Sequence, residues 1–474
     1  MRRPIAFTSV ALTAAAARMS AQTSLPAPMT QRIDAAYVKY ASPAVPGCVV
    51  GVFQNGKVAY AKGYGSANIE YAAPITPGTP FIMGSVSKQF TAAAIALLIE
   101  DGRIKPTDDV RKYVPELPDY GKTITIDHLV HHTSGLRDFW TLVQAADLRN
   151  DDGYSVGDVL RLASRQHHLN FDPGAEYNYS NTGYVVLGIV VQRVTGKTLR
   201  QFAAERIFTP LGMTHSHFHD DHTEPAPGRA SAYSPGKNGG WKINVWNNDI
   251  VGQGGLMTTV GDLQKWDENF YTGQLGGREF LDRQLQQGVL NDGKKLAYAY
   301  GLEVLQYRGL PMVEHSGSTG GYRTDIARFP SKHTTVATMC NVSTADAAGL
   351  AHAVADVVLE SSLAARATVS MSGVPAQGGG GADYGEQTLE GYTGRYYSDE
   401  LDATFEITRA GSSLLVKRAR SGPDTLRAIG VVAAFRANGM TLQFDESSQP
   451  SPRFMLDAGR ARGIEFKRVA PEGR

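Results

Sequence analysis

The segment that most constrains the fold is residues 85–100, which reads SVSKQFTAAAIALLIE. Apolar residues occupy nearly every position after Lys88, so a helix formed here has almost no polar face. Such a helix is stable only when other elements cover it on all sides. Gly102 follows as a helix stop signal. The segment therefore predicts a buried central helix in a domain large enough to surround it.

Strand-like segments occur on both sides of this helix along the chain. Residues 48–53 and 57–64 are joined by Asn55-Gly56, the pair that best tolerates a type I′ turn, and they predict a hairpin. Residues 302–340 read as further strands, and residues 344–363 as an amphipathic helix. We therefore expect an α+β fold in which both ends of the domain complete one antiparallel sheet.

Helical patterns dominate the chain between about residues 105 and 275, with loops rich in Gly, Pro, Asn and Asp between them. This stretch is predicted to form a helical lobe beside the sheet. Clefts between such lobes are common ligand sites, so the functional site is expected between the lobe and the sheet.

A change of composition divides the chain into two parts. Residues 366–386 are mostly small, include a run of four glycines and have no hydrophobic period, as expected of a flexible linker. Residues 28–365 are then the main domain. Residues 387–474 contain short alternating runs separated by turn residues, which predict a small all-β domain with a barrel-like fold.

The N-terminus has the pattern of an export signal. Arg2 and Arg3 precede an apolar, Ala-rich stretch over residues 5–17, and Ser20 and Ala21 are small residues suited to a cleavage site. We predict a signal peptide over residues 1–21 and an exported protein, periplasmic or secreted; the alternative is a disordered extension. Apolar runs in the sequence fall short of the ~20 residues needed for a membrane span.

The charge balance excludes one class of partner. The chain has 47 basic and 46 acidic side chains, for a formal net charge of +1. A chain without excess positive charge lacks the field that attracts a polyanion, so nucleic acid is not expected to bind. A small molecule or a short peptide is the expected partner, and the sequence leaves the oligomeric state open.

Cys48 and Cys340 are the two cysteines of the chain, and both lie in strand-like segments. An oxidising compartment would permit a bridge if those strands were neighbours. Buried free thiols are nevertheless the more frequent outcome for cysteines in such segments, and we expect free thiols here.

Ser85 and Lys88 are the first candidates for chemistry. Positions i and i+3 of a helix share a face, which puts the Lys88 amine beside the Ser85 hydroxyl. Apolar surroundings favour the neutral, basic form of the amine, and the helix N-terminus favours negative charge next to Ser85. The pair can therefore act as nucleophile and base. The plainer alternative is a helix cap at Ser85 and a surface lysine.

Tyr179-Ser180-Asn181 lies in a predicted loop ahead of an apolar helix over residues 184–194. Tyr179 can serve as a general base if nearby cations hold its phenolate, and Asn181 offers a donor and an acceptor to Lys88 and to substrate. A turn with a packed tyrosine is the alternative.

His315-Ser316-Gly317 lies in a strand-like stretch. Gly317 has no side chain to block a substrate laid along the strand edge, so Ser316 and Gly317 are candidate substrate-binding residues. The backbone N–H groups of Ser85 and Ser318 are predicted to form an oxyanion hole. Trp140, expected in a loop between helices, is a further candidate for the cleft wall, although aromatic residues more often belong to a core.

In this order, the Ser85-x-x-Lys88, Tyr179-x-Asn181 and His315-x-Gly317 motifs resemble those of the serine β-lactamase and penicillin-binding protein superfamily. The class C β-lactamase-related group, peptidase family S12, is most similar; it includes D-Ala-D-Ala carboxypeptidases, D-aminopeptidases and family VIII carboxylesterases. The resemblance covers residues 30–365 and implies a β-lactamase/transpeptidase-like fold and an acyl-enzyme without a cofactor. The C-terminal domain is similar to the lipocalin-like domain appended to peptidases of this group.

The resemblance also implies roles for the individual residues. Ser85 is the expected nucleophile, and Lys88 and Tyr179 exchange its proton, with the principal base left open. Asn181 is expected to position the substrate amide. His315 is expected to orient Tyr179 or to meet a substrate carboxylate.

His315 stands where the β-lactamases of this group have lysine, and peptidase-like members have histidine. A lysine is permanently charged and suits the carboxylate of a β-lactam, whereas a histidine is charged only part of the time near neutral pH. We therefore predict cleavage of small peptides or amides, with D-residues as candidates. Alternatives are a β-lactamase, a carboxylesterase and a slowly acylating penicillin-binding sensor.

Four histidines, His215, His217, His219 and His222, surround two aspartates and offer enough donors for zinc. Strand alternation would put the first three on one face. Because related chains need no metal, we expect a hydrogen-bonded surface loop and no metal site. A zinc hydrolase built on this cluster is the alternative.

Overall fold

The computed structural model describes residues 22–245, 247–365 and 386–470. The predicted signal peptide and nearly all of the predicted linker lie outside the described residues. None of the helices within these ranges combines the length and the apolar character that a membrane crossing requires.

Several helices begin after a residue whose side chain accepts a backbone hydrogen bond. Asp138, Ser155, Ser180 and Thr259 each accept the N–H of the residue three positions on, which satisfies a donor that the first turn leaves free. The α-helices are α1 Ala27–Ala36, α2 Lys88–Glu100, α3 Ile126–Val130, α4 Phe139–Ala145, α5 Val156–Ser164, α6 Asn181–Thr195, α7 Leu199–Ala203, α8 Val260–Thr272, α9 Gly277–Gln284, α10 Ala347–Val358 and α11 Glu386–Glu390.

Strands before α2, between α7 and α8, and after α9 build the sheets of the main domain. They are β1 Gln22–Thr23, β2 Cys48–Gln54, β3 Lys57–Tyr64, β4 Ser66–Asn68, β5 Ala73–Pro74, β6 Phe81–Ile82, β7 His217–Phe218, β8 Tyr233–Pro235, β9 Trp241–Ile243, β10 Leu256–Thr258, β11 Glu303–Tyr307, β12 Leu310–Thr319, β13 Tyr322–Phe329 and β14 Thr334–Cys340.

Seven of these strands form one antiparallel sheet in the order β1-β3-β2-β14-β13-β12-β11. The β2–β3 hairpin turns at Asn55 and Gly56, both with positive φ (49° and 74°), as the sequence predicts. Pairing of β2 with β14 joins the two ends of the domain, which confirms the predicted α+β architecture.

The pairing of β2 with β14 also corrects the expectation of free thiols. Cys48 and Cys340 lie directly opposite each other in the register and form a disulfide bond. Sequence reasoning missed the bond because cysteines 292 residues apart meet only if the two strands become neighbours, which tertiary topology decides.

The central helix is buried as its composition predicts. A 3-10 turn over Gly84–Ser87 leads directly into α2, and every residue from Lys88 to Leu98 is buried. Helices α6, α7 and α9 pack on α2, while β12 packs against the 3-10 turn before it. Helices α1 and α10 contact each other, and α10 packs on the sheet at β13 and β14. The start of α2 therefore lies where the helical lobe meets the sheet.

The C-terminal region forms a closed antiparallel barrel, as the sequence predicts. Its interior is filled by aromatic side chains; the Phe405 and Phe466 rings are 4.5 Å apart and the Phe454 and Phe466 rings 4.7 Å apart, measured between centroids. The strands are β15 Gly394–Ser398, β16 Ala403–Ala410, β17 Ser413–Lys417, β18 Asp424–Ala428, β19 Ala434–Ala437, β20 Met440–Phe444, β21 Arg453–Ala458 and β22 Ala461–Val469.

Helix α4 and the segment before it attach this barrel to the main domain. Leu142, Ala145 and Ala146 pack into the core cluster of the barrel. Arg137 forms a buried ion pair with Glu400 of the barrel, with 2.5 Å between Nη1 and Oε1. Trp140 accordingly lies in α4 and not in a loop: Asp138 caps the segment, and docking of its apolar face on the barrel stabilises the helix.

Candidate active site

Ser85 and Lys88 lie together at the start of α2. Ser85 belongs to the 3-10 turn and is half-buried, and Lys88 begins the α-helix and is completely buried. The Lys88 Nζ atom is 3.1 Å from the Ser85 hydroxyl oxygen. Burial holds the pKa of the Lys88 amine well below its usual range, which favours the neutral form.

The other partners of Lys88 fix the direction of its lone pair. Nζ donates to the Asn181 side-chain oxygen at 2.9 Å and to the Gln253 carbonyl oxygen at 2.7 Å. A neutral amine has two N–H donors and one lone pair, so these two acceptors use both donors. The lone pair is then left for the Ser85 O–H.

Asp138 fixes the orientation of the Asn181 amide. Its Oδ2 atom accepts hydrogen bonds from the Asn181 backbone N–H and from Nδ2, each at 2.8 Å. Because Nδ2 faces a carboxylate, the amide oxygen must face Lys88. Ser180 caps α6, so Asn181 is the first residue of that helix and not part of the preceding loop.

Tyr179 lies beside this pair. Its ring centroid is 4.7 Å from Lys88 Nζ, and the His132 ring packs against it with 4.1 Å between centroids. His132 also accepts the backbone N–H of Ser180 at 3.1 Å, which holds the segment in place. Burial raises the pKa of the Tyr179 phenol well above its usual range, more than a hydrogen bond with Ser85 lowers it. The phenol is therefore protonated at neutral pH.

Strand β12 brings the third motif against the start of α2. A Cβ at Gly317 would lie 2.1 Å from the Met83 carbonyl oxygen, so only glycine allows this approach. The pairing of β11 with β12 ends at Glu303 opposite Glu314. In the described ranges no other strand pairs with that edge beyond Glu314, so the segment that contains Ser318 is open there.

Both ring nitrogens of His315 have partners within the protein. Nδ1 lies 2.7 Å from the Ser316 carbonyl oxygen, to which it donates, so Nε2 accepts from the Tyr298 hydroxyl at 3.0 Å. Burial lowers the pKa of His315 to about 4. The ring is neutral at physiological pH, and its centroid is 6.4 Å from that of Tyr179.

Part of this site faces a cavity of about 890 Å³, while Lys88 and His315 lie behind its wall. Its wall includes the predicted site residues Ser85, Tyr179, Asn181, Ser318 and Trp140. Ser316 and Gly317 are not part of that wall: Ser316 is exposed but does not line the cavity, and Gly317 packs on the backbone at Met83. The cavity is also lined by Gln144, Arg149, Lys242, Ile243, Gln253 and Arg460.

Sequence reasoning missed several residues that shape the site. Asp138 could have been noticed as an aspartate ahead of an apolar run, which is a helix N-cap signal. His132 gives no local signal of its role, because its contact with Tyr179 depends on the fold. Arg460 gives no local signal, because it lies in a barrel turn 281 residues from Tyr179.

The four histidines do not form one cluster. His217 and His219 lie side by side with 3.3 Å between Nε2 and Nδ1, and Glu224 is near them. The Arg200 guanidinium donates two hydrogen bonds to Glu224, so this carboxylate is already paired with a cation. A second group consists of Asp221, His222 and Asp249. Only His217 and Phe218 form a strand there, so the predicted alternation of three histidines is wrong.

The beta-lactamase family model matches residues 30–359. A D-aminopeptidase of Gluconobacter oxydans (strain 621H) is 28% identical over 300 residues, covering 62% of this chain and 56% of that protein. Penicillin-binding protein 4* of Bacillus subtilis (strain 168) is 27% identical over 304 residues, covering 61% and 66%. The chain thus matches less than two thirds of the length of these curated relatives.

Solved structures share the fold. The octameric penicillin-binding protein homologue from Pyrococcus abyssi superposes with a TM-score of 0.62 at 25% identity, covering 93% of this chain and 99% of that one. The D-amino acid amidase from Ochrobactrum anthropi SV3 gives 0.59 at 20% identity, covering 70% and 98%. With the family model matching well over half of the sequence, the chain belongs to the beta-lactamase family.

Proposed function

We propose that this protein is a serine hydrolase that cleaves small peptides or amides through an acyl-enzyme on Ser85. The observation that carries the proposal is the buried Lys88 amine, which lies 3.1 Å from the Ser85 hydroxyl oxygen and is fixed by two further acceptors, Asn181 and Gln253. A serine hydroxyl is a weak nucleophile until an adjacent base removes its proton.

Lys88 is the base in this scheme, and Tyr179 moves the proton onward. A protonated phenol cannot accept the Ser85 proton without first losing its own, whereas the buried amine can accept it directly. Ser85 Oγ attacks the substrate carbonyl as its proton passes to Lys88. Tyr179 then donates a proton to the departing nitrogen and is reprotonated from Lys88. Water releases the acyl group by the reverse sequence.

Two backbone N–H groups, those of Ser85 and Ser318, are proposed to bind the oxyanion. Ser85 and Ser318 line the same cavity, and Ser318 lies in the open part of the β12 edge. Donors of this kind lower the barrier because they are already oriented before charge develops on the carbonyl oxygen. The same edge is available to pair with an extended substrate.

His315 is proposed to be a positioning residue. Its neutral ring links Ser316 of β12 to Tyr298, whose ring lies 6.2 Å from that of Tyr179 between centroids. It therefore offers neither a charge nor a free nitrogen to a substrate carboxylate. This is consistent with peptide or amide cleavage in preference to β-lactam hydrolysis. The relative named D-aminopeptidase supports D-residue substrates.

Export is also proposed. The Arg-rich and apolar N-terminus has the pattern of a signal peptide, and the Cys48–Cys340 disulfide bond suits an oxidising compartment. N-terminal sequencing of the mature protein tests this; a start near Gln22 is expected. The closed barrel, whose interior is filled by aromatic side chains, is consistent with a lipocalin-like domain.

The decisive experiment is labelling with a phosphonate probe that forms a stable bond to an active-site serine. Intact-mass spectra should show one adduct on the wild type and none on Ser85→Ala. Ser87→Ala is the matched control, because Ser87 lies in the same turn but its hydroxyl oxygen accepts the Leu256 backbone N–H at 3.0 Å, away from Lys88. An adduct on Ser85→Ala would contradict the proposal. A panel of D-amino-acid amides, a chromogenic cephalosporin and p-nitrophenyl esters then separates peptidase, lactamase and esterase activity.

A further inference from the structure

Arg460 belongs to the C-terminal barrel but lies in the wall of the active-site cavity. It occupies the two-residue turn between β21 and β22. Its guanidinium carbon is 5.5 Å from the centroid of the Tyr179 ring, and Nη1 donates to the Tyr179 carbonyl oxygen at 3.3 Å. The barrel thus supplies a side chain to the site of the main domain.

The backbone of this turn is held in position from the main domain. The Arg460 carbonyl oxygen accepts the Asp138 N–H at 3.2 Å and the Asn170 side-chain amide at 2.9 Å. Arg137 donates to the carbonyl oxygens of Arg462 and Gly463 on the next strand. These backbone contacts fix the position of the turn. The location of the Arg460 guanidinium therefore does not depend on its single long hydrogen bond to Tyr179.

The guanidinium retains most of its hydrogen-bonding capacity. It has five N–H donors, and within the described residues it makes one hydrogen bond, the 3.3 Å contact with Tyr179. Its Nη2 atom also forms an ion pair with Asp138 Oδ1 at 3.4 Å, although this carboxylate accepts its hydrogen bonds from Asn181 and Thr141. The Arg460 side chain is 40% exposed, so a ligand in the cavity can reach it.

Three other basic side chains near the site, Lys88, His315 and Arg149, are less suited to bind an anion beside Tyr179. Lys242 also lines the cavity and is exposed. Lys88 is completely buried and hydrogen-bonded on all sides, and His315 is neutral. Arg149 is held by Asp151 through two hydrogen bonds. Arg460 is the permanently charged side chain that contacts Tyr179.

We propose that Arg460 binds a carboxylate on the leaving group, so that the preferred substrate is a peptide with a free C-terminal carboxylate. This inference rests on the proposed function, in which Tyr179 protonates the departing nitrogen and therefore lies beside it. In an amino acid the carboxylate carbon is only about 2.5 Å from that nitrogen. A guanidinium next to Tyr179 is then within reach of a paired, two-bond contact with the carboxylate.

Acylation needs no reactant beyond the peptide, and release of the acyl group needs one water molecule. The substrate C–N bond breaks as the Ser85 ester forms, and the nitrogen takes its proton from Tyr179. The C-terminal amino acid leaves as product with its carboxylate still ionised. A water molecule then hydrolyses the ester and restores Ser85.

The test compares N-acetyl-D-alanyl-D-alanine with its C-terminal amide as substrates for the full chain. The expected result is a wild type that prefers the free acid. Arg460→Gln should lower kcat/KM for the acid by about 10- to 100-fold, the range of a charge-assisted hydrogen bond, and leave the amide within about 3-fold. Arg460→Lys should retain part of the preference. Arg462→Gln, two residues away, is the matched control; its side chain is 43% exposed and pairs with Glu176.

Phosphonate labelling of the same proteins separates the two proposals. Absence of labelling on the wild type would overturn the proposed function itself. A wild type that is labelled but prefers the amide, or hydrolyses neither dipeptide, overturns the assignment of Arg460. So does an equal fall for both substrates in Arg460→Gln, which would mean that Arg460 acts only by holding Tyr179.

Discussion

Asp138 accepts hydrogen bonds from both nitrogen atoms of Asn181, the backbone N–H and the side-chain Nδ2, each at 2.8 Å. The contact turns the Asn181 oxygen toward Lys88, which in turn leaves the Lys88 lone pair for Ser85. A buried carboxylate outside the cavity wall thereby determines how the base is oriented.

Removal of this carboxylate should impair the base without disturbing the nucleophile. Asp138→Ala is expected to lower kcat/KM for an amide substrate by about 10- to 100-fold, because Asn181 can then turn its nitrogen toward Lys88. Asp138 also raises the pKa of Lys88, so the acid limb of the pH profile should move to lower pH. Thr141→Ala, which removes another partner of Asp138, is the control. An unchanged acid limb would exclude this role.

Lys88 is proposed as the base and Tyr179 as the proton donor to the leaving group. Substrates with different leaving groups can distinguish these two roles. Lys88→Met should slow acylation by amides and by p-nitrophenyl esters alike, by about 10² to 10⁴-fold. Tyr179→Phe should slow amides by a similar factor but esters far less, because p-nitrophenolate departs without a proton. Tyr177→Phe, at a neighbouring half-exposed tyrosine, is the control. Equal losses for both substrates in Tyr179→Phe would instead make Tyr179 part of the base.

Acid should destabilise the fold through His315. Its folded-state pKa of about 4 lies below the ordinary value of 6.5, so on acidification the unfolded chain takes up this proton first. Stability is therefore lost as the pH falls from about 6.5 to 4, by about 3 kcal/mol for this group. Urea unfolding at about pH 7 and pH 4 should show His315→Gln losing about 3 kcal/mol less than the wild type. The same loss in both proteins would contradict the burial of a neutral ring.

The disulfide bond should stabilise the sheet but not the chemistry. Cys48 and Cys340 belong to the core on the side of the sheet that α1 and α10 cover. Replacing both by alanine should lower the free energy of unfolding by about 2–4 kcal/mol and leave kcat/KM within a factor of a few. A reducing agent should lower the urea midpoint of the wild type and not that of the double variant. If the agent leaves the wild-type midpoint unchanged, the bond is absent.

The Arg137–Glu400 pair should couple the barrel to the main domain. Both side chains are buried, so Arg137→Met leaves an uncompensated carboxylate and is expected to cost about 3–5 kcal/mol of unfolding free energy. Adding Glu400→Leu should recover much of that loss, because the unpaired charge is removed. A double-mutant cycle by urea denaturation measures the coupling, and a loss below about 1 kcal/mol in the single variant would show that the pair is not buried in solution.

Local sequence patterns were sufficient to predict much of this fold. The segment after Ser85 is apolar on every side, which predicted a buried central helix. Asn55-Gly56 predicted a tight hairpin turn. The alternating runs after residue 390 indicated the barrel strands. Spacing of three residues was enough to bring Lys88 to Ser85, because the geometry of one helical turn does not depend on the rest of the chain.

Tertiary structure alone decided which distant residues meet. Cys48 pairs with Cys340 because their strands are neighbours in the sheet, and Arg460 reaches Tyr179 because the barrel docks on α4. The helical state of Trp140 and the neutral state of His315 likewise depend on burial by other elements. Sequence patterns report contacts within a few residues, whereas docking, desolvation and long-range pairing are properties of the packed chain.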